Sequence, residues 1–201
     1  MRLGNIAPAL ESKAVWERRF KERDWECSWT ARRDHVQEHA WCILTEETAK
    51  RIGRFLQQFN TVIEVFAGTG YIASHLREAS GLGRNYRAYD PCRSHWARTK
   101  RPNYGFTRKG CFNVNLKKAD CIVMTWPNYN ENLAYRVARK MVSGQRLIYQ
   151  GEGDGGCTGC DKFHEYLDTH FRRVSAVDKL FHADHIRWHG IWDTWWVYIK
   201  N

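Results

Sequence analysis

Residues 61–73 read Thr-Val-Ile-Glu-Val-Phe-Ala-Gly-Thr-Gly-Tyr-Ile-Ala, and they constrain the chain more than any other stretch. An apolar run of Val62, Ile63, Val65 and Phe66, carrying one acid at Glu64, breaks at Ala67-Gly68-Thr69-Gly70. It resumes through Leu76 with the spacing of a helix. The pattern predicts a buried strand, a glycine turn and a helix start. Glycine at 68 and 70 lets the backbone bend sharply and lets a ligand approach with no Cβ in the way. Open α/β sheets bind ligands outside the carboxyl ends of their strands, where this turn falls.

The rest of the chain repeats the alternation. Strand-length runs stand at 86–90, 119–125, 145–150, 171–177 and 194–199, with a short, poorly defined one within 104–112. Helical spacing marks 71–80, 92–103, 130–142 and 161–169, whereas 178–191 is a His-rich connection without periodicity. Upstream, Thr45 followed by Glu46 and Glu47 has the form of a helix cap with acids in the first turn, predicting a helix to about Gln58. Alternating strands and helices predict an α/β fold with a mostly parallel sheet.

The first 44 residues differ in kind. Residues 12–29 are dense in charge of both signs, with Trp16 and Phe20, and then Trp25 and Trp29, four apart. A helix with an apolar stripe is predicted there. Residues 30–41 are ambiguous: His35 and His39 would share a helix face, either as a metal pair or as a polar face. Trp16, Trp25, Trp29 and Trp41 have two readings, as lid packing or as stacking platforms for bases. The division is an N-terminal helical extension or lid over 1–44 and one domain over 45–201.

Two ligand classes use such a glycine turn. Gly68-x-Gly70-x-x-Ala73 fits the fingerprint of a nicotinamide dinucleotide site. Glu64-x-Phe66-x-Gly68-x-Gly70 resembles motif I of the class I methyltransferases, which use S-adenosylmethionine, with Phe66 replacing the first glycine of acid-x-Gly-x-Gly-x-Gly. An acid inside the strand, and little room for a dehydrogenase's second domain, favour the methyl donor. Asp90, 20 residues after Gly70 at the end of a predicted strand, is at the spacing of a carboxylate that accepts from ribose hydroxyls. In the family it resembles the motif II acid; beside Pro91 it also fits a turn cap. Trp126-Pro127-Asn128-Tyr129, closing the 119–125 strand, resembles the motif IV loop of enzymes that methylate exocyclic amines on bases. It keeps one proline and the final aromatic, and it departs at Trp126 and Asn128.

The resemblance, over residues 45–200, implies a Rossmann-like seven-stranded sheet of order 3-2-1-4-5-7-6 with the last strand antiparallel. It implies an S-adenosylmethionine site from Glu64, Phe66, Ala67, Gly68, Thr69, Gly70, Asp90, Pro91, Thr125 and Trp126, with Glu64 accepting from the methionine ammonium directly or through water. It also implies an acceptor region at Pro127, Asn128 and Tyr129. The loop 151–160, half glycine, would face the same cleft, where Glu152 and Asp154 orient an acceptor amine and Trp192 walls the substrate cleft. The three functional readings are a base methyltransferase, a methyltransferase for a small molecule or protein, and a binding module without turnover.

Charge bears on the acceptor. Between Arg77 and Lys118 stand 11 Lys/Arg against Glu78 and Asp90, so +9 of the chain's +10 is concentrated there. Such a block, interleaved with Tyr86, Tyr89, Trp96, Tyr104 and Phe106, attracts nucleic acid or forms a solvated basic face. Cys157-x-x-Cys160 with His164, His182, His185 and His189 lacks a second Cys pair, so no metal is expected. Seven scattered cysteines, no signal-like segment and no bilayer-length apolar run give the expectation of a cytoplasmic protein with reduced thiols and no membrane association.

Overall fold

The computed structural model describes residues 5–22, 25–91, 104, 107–110 and 114–201, with backbone alone at 25–28 and 107–109. The helix expected over 92–103, Trp96, Phe106 and the side chains of Arg93, Arg98, Lys100, Arg101, Arg108 and Lys109 lie outside the described residues, as does the side chain of Trp25.

Two helices open the chain, α1 (Lys13–Glu22) and α2 (Trp25–Glu38). Residues 25–38, nine of whose fourteen positions the sequence leaves ambiguous, are therefore helical. Next comes α3 (Glu46–Leu56), where the Thr45 hydroxyl accepts from Thr48 N at 3.1 Å and Glu46 and Glu47 stand in the first turn. Then follow β1 (Val62–Val65), α4 (Tyr71–Ser80), β2 (Tyr86–Asp90), β3 (Thr107–Lys109), β4 (Cys121–Thr125), α5 (Leu133–Lys140) and β5 (Arg146–Gly151). The chain ends with α6 (Asp161–His170), β6 (Phe171–Arg173), α7 (Ser175–His182) and β7 (Thr194–Lys200). Two expectations are corrected here: the strand at 171–177 is only three residues long, and α7 occupies the start of the stretch read as irregular. Phe181 on α7 is buried against the sheet, and tertiary packing of one aromatic outweighs the weak local periodicity.

The seven strands form one sheet of order β3-β2-β1-β4-β5-β7-β6. All neighbours pair parallel except β7, which runs antiparallel to both β5 and β6. This is the strand order that the resemblance to the class I methyltransferases implies. β1 sits at the centre, with Ile63 opposite Arg87 of β2 and Ile122 of β4. All four of its residues are buried, as a strand covered on both faces requires.

Each face has its own core. On one, α3, α4 and α7 lay Ile52, Leu56, Ile72, Leu76 and Phe181 on Val62, Val123, Ile148 and Val197. On the other, α5 and α6 lay Val137, Ala138, Phe163 and Leu167 on Ile63, Ile122, Met124 and Leu147. Gly53 lets α3 approach α4 closely: a Cβ there would lie 2.6 Å from the Cβ of Ala79. A third, smaller cluster of Trp16, Ile43 and Trp188, with Phe20 and Ile191 against it, ties α1 to the 183–193 connection. Among the described residues no helix is long and apolar enough to cross a membrane.

Candidate functional site

The parallel arrangement brings the carboxyl ends of β2, β1, β4 and β5 side by side, and the chain leaves each in a turn. After β1, Phe66 takes φ 62°, Gly68 φ 53° and Gly70 φ 78°. After β4, Trp126 takes φ 47°. Positive φ at a bulky residue is rare and costs free energy, so two such residues on adjacent strand ends mark a backbone shaped for something other than stability. The Thr125 hydroxyl lies 3.3 Å from Phe66 O and joins the two turns.

The two sequence-predicted acids are close to the turn but hold it differently. Asp90, at the tip of β2, accepts from Gly68 N at 2.9 Å, so residues 22 apart meet at the turn. Glu64 lies beneath. It is fully buried; one oxygen accepts from the Tyr86 hydroxyl at 2.6 Å and the other from the Thr125 hydroxyl at 3.3 Å. Burial pushes its carboxyl up to about 7 against these two donated hydrogen bonds. Glu64 therefore links β1, β2 and β4 from within the core, and Tyr86 is a partner that the linear pattern hides.

Residues around the turn are held by β2, by Tyr104 and by the residues at the end of α2. Ala67 N donates to Tyr89 O at 3.1 Å, Thr69 O accepts from Tyr104 N at 2.9 Å, and the Thr69 hydroxyl donates to His39 O. Tyr104 Oη donates to Glu38 O at 2.8 Å. His39 stacks on Tyr71 at 4.8 Å. His35 Nε2 donates to Cys42 O, and burial lowers its imidazole to about 4. The histidine pair thus packs on aromatic rings and the backbone. Pro91 is half-buried beside Asp90.

The motif IV-like loop and the glycine loop are zipped together. Pro127 is buried and its carbonyl accepts from Gly159 N at 2.9 Å; Asn128 forms an isolated bridge with Thr158. Asn128 Oδ1 accepts from Asn130 N at 3.1 Å, while Tyr129 is half exposed. Glu152 organises the glycine loop. Its carboxylate accepts from Cys157 N at 2.7 Å, Cys157 Sγ at 2.8 Å and Trp192 N at 2.9 Å. Burial alone would raise this carboxyl, but the donors at Cys157 and Trp192 and the charge of Arg32 hold it below its ordinary value. Burial and the Glu152 carboxylate push the Cys157 thiol up to about 11. Asp154 stands exposed in the loop's turn, and Trp192 is 73% exposed.

Several contacts at this edge join residues far apart in the sequence. Trp41 lies flat on Trp126, with ring centres 5.8 Å apart and planes 8° apart. Arg32 of α2 reaches the charges of Glu152 and Asp193. Gln150, at the end of β5, donates to Asp193 at 2.6 Å. Gln150 Oε1, Asp193 Oδ1 and His185 Nδ1 are buried without a hydrogen-bond partner among the described residues. Residues 32, 150 and 185, far apart in the sequence, thus all lie near Asp193.

The histidines near the Cys pair are engaged with backbone carbonyls: His164 Nε2 donates to Thr158 O at 2.8 Å and His182 Nε2 to Trp195 O at 2.6 Å. Among the described residues no group of three or more His, Cys, Asp or Glu side chains is placed to hold a metal ion.

No family model matches the chain, and no curated protein matches it in sequence. Solved structures similar to it include human N-acetylserotonin methyltransferase (11% identity, 76% of this chain and 51% of that one, TM-score 0.42). The mitomycin 7-O-methyltransferase MmcR is similar at 11% identity, over 77% and 53%, with TM-score 0.47. The B. subtilis tRNA methyltransferase TrmK is similar at 10% identity, over 79% and 67%, with TM-score 0.45. The match spans about half the length of the first two.

Proposed function

We propose that this chain is an S-adenosylmethionine-dependent methyltransferase whose acceptor is an exocyclic amine of a nucleic-acid base. The observation that carries the reading is the meeting of Asp90 with Gly68 at the central strand tips, in a sheet of this order. The turn fits such a ligand: Gly68 has φ 53°, and a Cβ built on it would meet nothing within 4 Å, so the backbone is open to close approach. Asp90 would accept from the ribose hydroxyls, and Phe66, Ala67, Thr69, Gly70 and Pro91 would border the adenosyl and methionine parts. Glu64 would act from below, fixing the strand tips through Tyr86 and Thr125. When bound there, S-adenosylmethionine would supply the methyl group from its sulfonium.

The chain's own contribution is then positioning. Thr125, Trp126 and Pro127 shape the reaction mouth, while Asn128 and Tyr129 meet the acceptor. Glu152, Asp154 and Trp192 stand on the acceptor side, and residues 1–44 form a lid. The charge block at 77–118 supports a polyanionic acceptor.

One observation favours the second reading, a small-molecule or protein acceptor. Pro127 O, the backbone acceptor that base methyltransferases offer to the target amine, already accepts from Gly159 N. The test is incubation with radiolabelled methyl donor and separate pools of DNA, RNA, protein and small molecules. Label is expected on nucleic acid and lost in Asp90→Ala and Asn128→Ala. Label on metabolites or protein alone would transfer the assignment to the second reading. Donor binding with no label anywhere would leave a binding module.

A further inference from the structure

We infer that the mouth beside Trp126 is a stacking dock for the unpaired nucleotides of a single-stranded nucleic acid, built from Trp29, Arg32, Trp41 and Trp126 on one side and Arg187 with Trp192 on the other. The inference rests on the nucleic-acid reading above and draws on residues outside the 77–118 charge block.

Four planar groups stand in series from α2 to the end of β4. The Arg32 guanidinium is 5.7 Å from the Trp29 ring centre and 5.9 Å from that of Trp41, and Trp41 lies flat on Trp126. In the 183–193 connection, the Arg187 guanidinium is 5.5 Å from the Trp192 ring centre. The two halves meet at Glu152, which accepts from Trp192 N and lies near Arg32. The outer members face solvent: Trp29 is 53% exposed and Trp192 73%. Two large, half or more exposed indoles, each beside a guanidinium, form an amphipathic surface of the kind on which unpaired bases stack.

The arginines have unequal roles. The charge of Arg32 is offset by Glu152 and Asp193 nearby, so Arg32 serves mainly as a flat spacer between indoles. Arg187 is exposed and supplies the cation for a phosphate. Stacking stations on both sides of Glu152 suit consecutive nucleotides of a strand better than one free nucleotide. The +10 net charge adds long-range attraction for a polyanion. The ladder ends at Trp126, so a strand held on it would present a base to the reaction mouth.

The test uses the full chain, fluorescently labelled single-stranded DNA and RNA of about ten nucleotides, within the span such grooves hold, and a free nucleoside monophosphate. Affinity is measured by anisotropy over a series of salt concentrations. Trp29→Ala and Trp192→Ala are each expected to weaken strand binding about tenfold with an unchanged salt slope, and Trp192→Phe to restore it. Arg187→Gln is expected to reduce the salt slope by about 0.7. Unchanged thermal unfolding of the exposed-tryptophan variants would show that the losses are local. Strand binding indifferent to both alanine variants, no strand binding by the parent, or a mononucleotide bound as tightly as the strand would each overturn the dock. Calorimetry with S-adenosylmethionine separates the two readings. Tryptophan-dependent strand binding without donor binding leaves the dock and removes the methyltransferase. Methylated nucleic acid with indifferent tryptophans does the reverse.

Discussion

At the residue scale, Glu64 is the most consequential side chain beneath the site. Its carboxyl, raised from 4.5 to about 7, retains in the folded chain a proton that the unfolded chain releases between those values. Its contribution to stability is full below pH 4.5 and falls as pH rises to about 7, by on the order of 3 kcal/mol. His35 acts in the opposite sense. Lowered from 6.5 to about 4 by burial, it contributes stability above pH 6.5 that is lost as pH falls toward 4. The two slopes oppose each other between about pH 4.5 and 6.5. Glu64→Gln should remove the falling arm, raising the melting temperature at pH 8 relative to the parent and exposing acid destabilisation from the histidines. Melting curves across pH 4–9 check this, and a variant that tracks the parent at every pH would contradict it. Asp90 differs because its hydrogen bond is to the turn itself. Asp90→Ala should free Gly68 N and weaken S-adenosylmethionine binding at least about tenfold by calorimetry, the scale of one charge-assisted hydrogen bond.

At the scale of elements, close approach and loop anchoring are the sensitive points. Gly53→Ala would push a methyl group to within 2.6 Å of the Cβ of Ala79 and 2.7 Å of its backbone carbonyl. Separating α3 from α4 should cost about 1–3 kcal/mol in urea denaturation, despite the better helix propensity of alanine. Glu152 is the corresponding point for the glycine loop, because its three accepted hydrogen bonds reach both Cys157 and Trp192. Glu152→Ala should accelerate amide exchange at Cys157 and Trp192 and cost about 1–3 kcal/mol. Protection unchanged at both amides would show that the loop is held by Tyr149 and Thr158 instead.

At the scale of the whole molecule, α1 and α2 are joined to the rest of the chain by hydrogen bonds at Lys13, Glu38 and His39 and by aromatic packing. Trp16 meets Trp188 edge-on at 5.7 Å and His35 at 5.5 Å, with Ile43 beneath. The Trp16→Ala variant removes the centre of this cluster. Hydrogen exchange should then speed up in α1 and α2 while β1 and β4 stay protected, as expected for a lid that opens as its own unit. Loss of protection in all four elements together would make residues 1–44 part of the main folding unit.

Much of this architecture is legible in the chain. The cap at Thr45 rests on a contact three residues away, and the run at 61–66 and the acid at 90 stand out by residue type and spacing, which local patterning records. The sheet order follows from a resemblance carried by those same motifs. The His-rich stretch and the tryptophans were not resolvable in this way. Trp16 is buried and Trp29 is not, although both sit on charged helical segments, because only the packed connection at 183–193 decides which indole finds a partner. Likewise the sequence alone placed Glu64 in the strand before the turn. It took the sheet to set Tyr86 and Thr125 on its two oxygens, because hydrogen bonds across 22 and 61 residues exist only once three strands lie side by side.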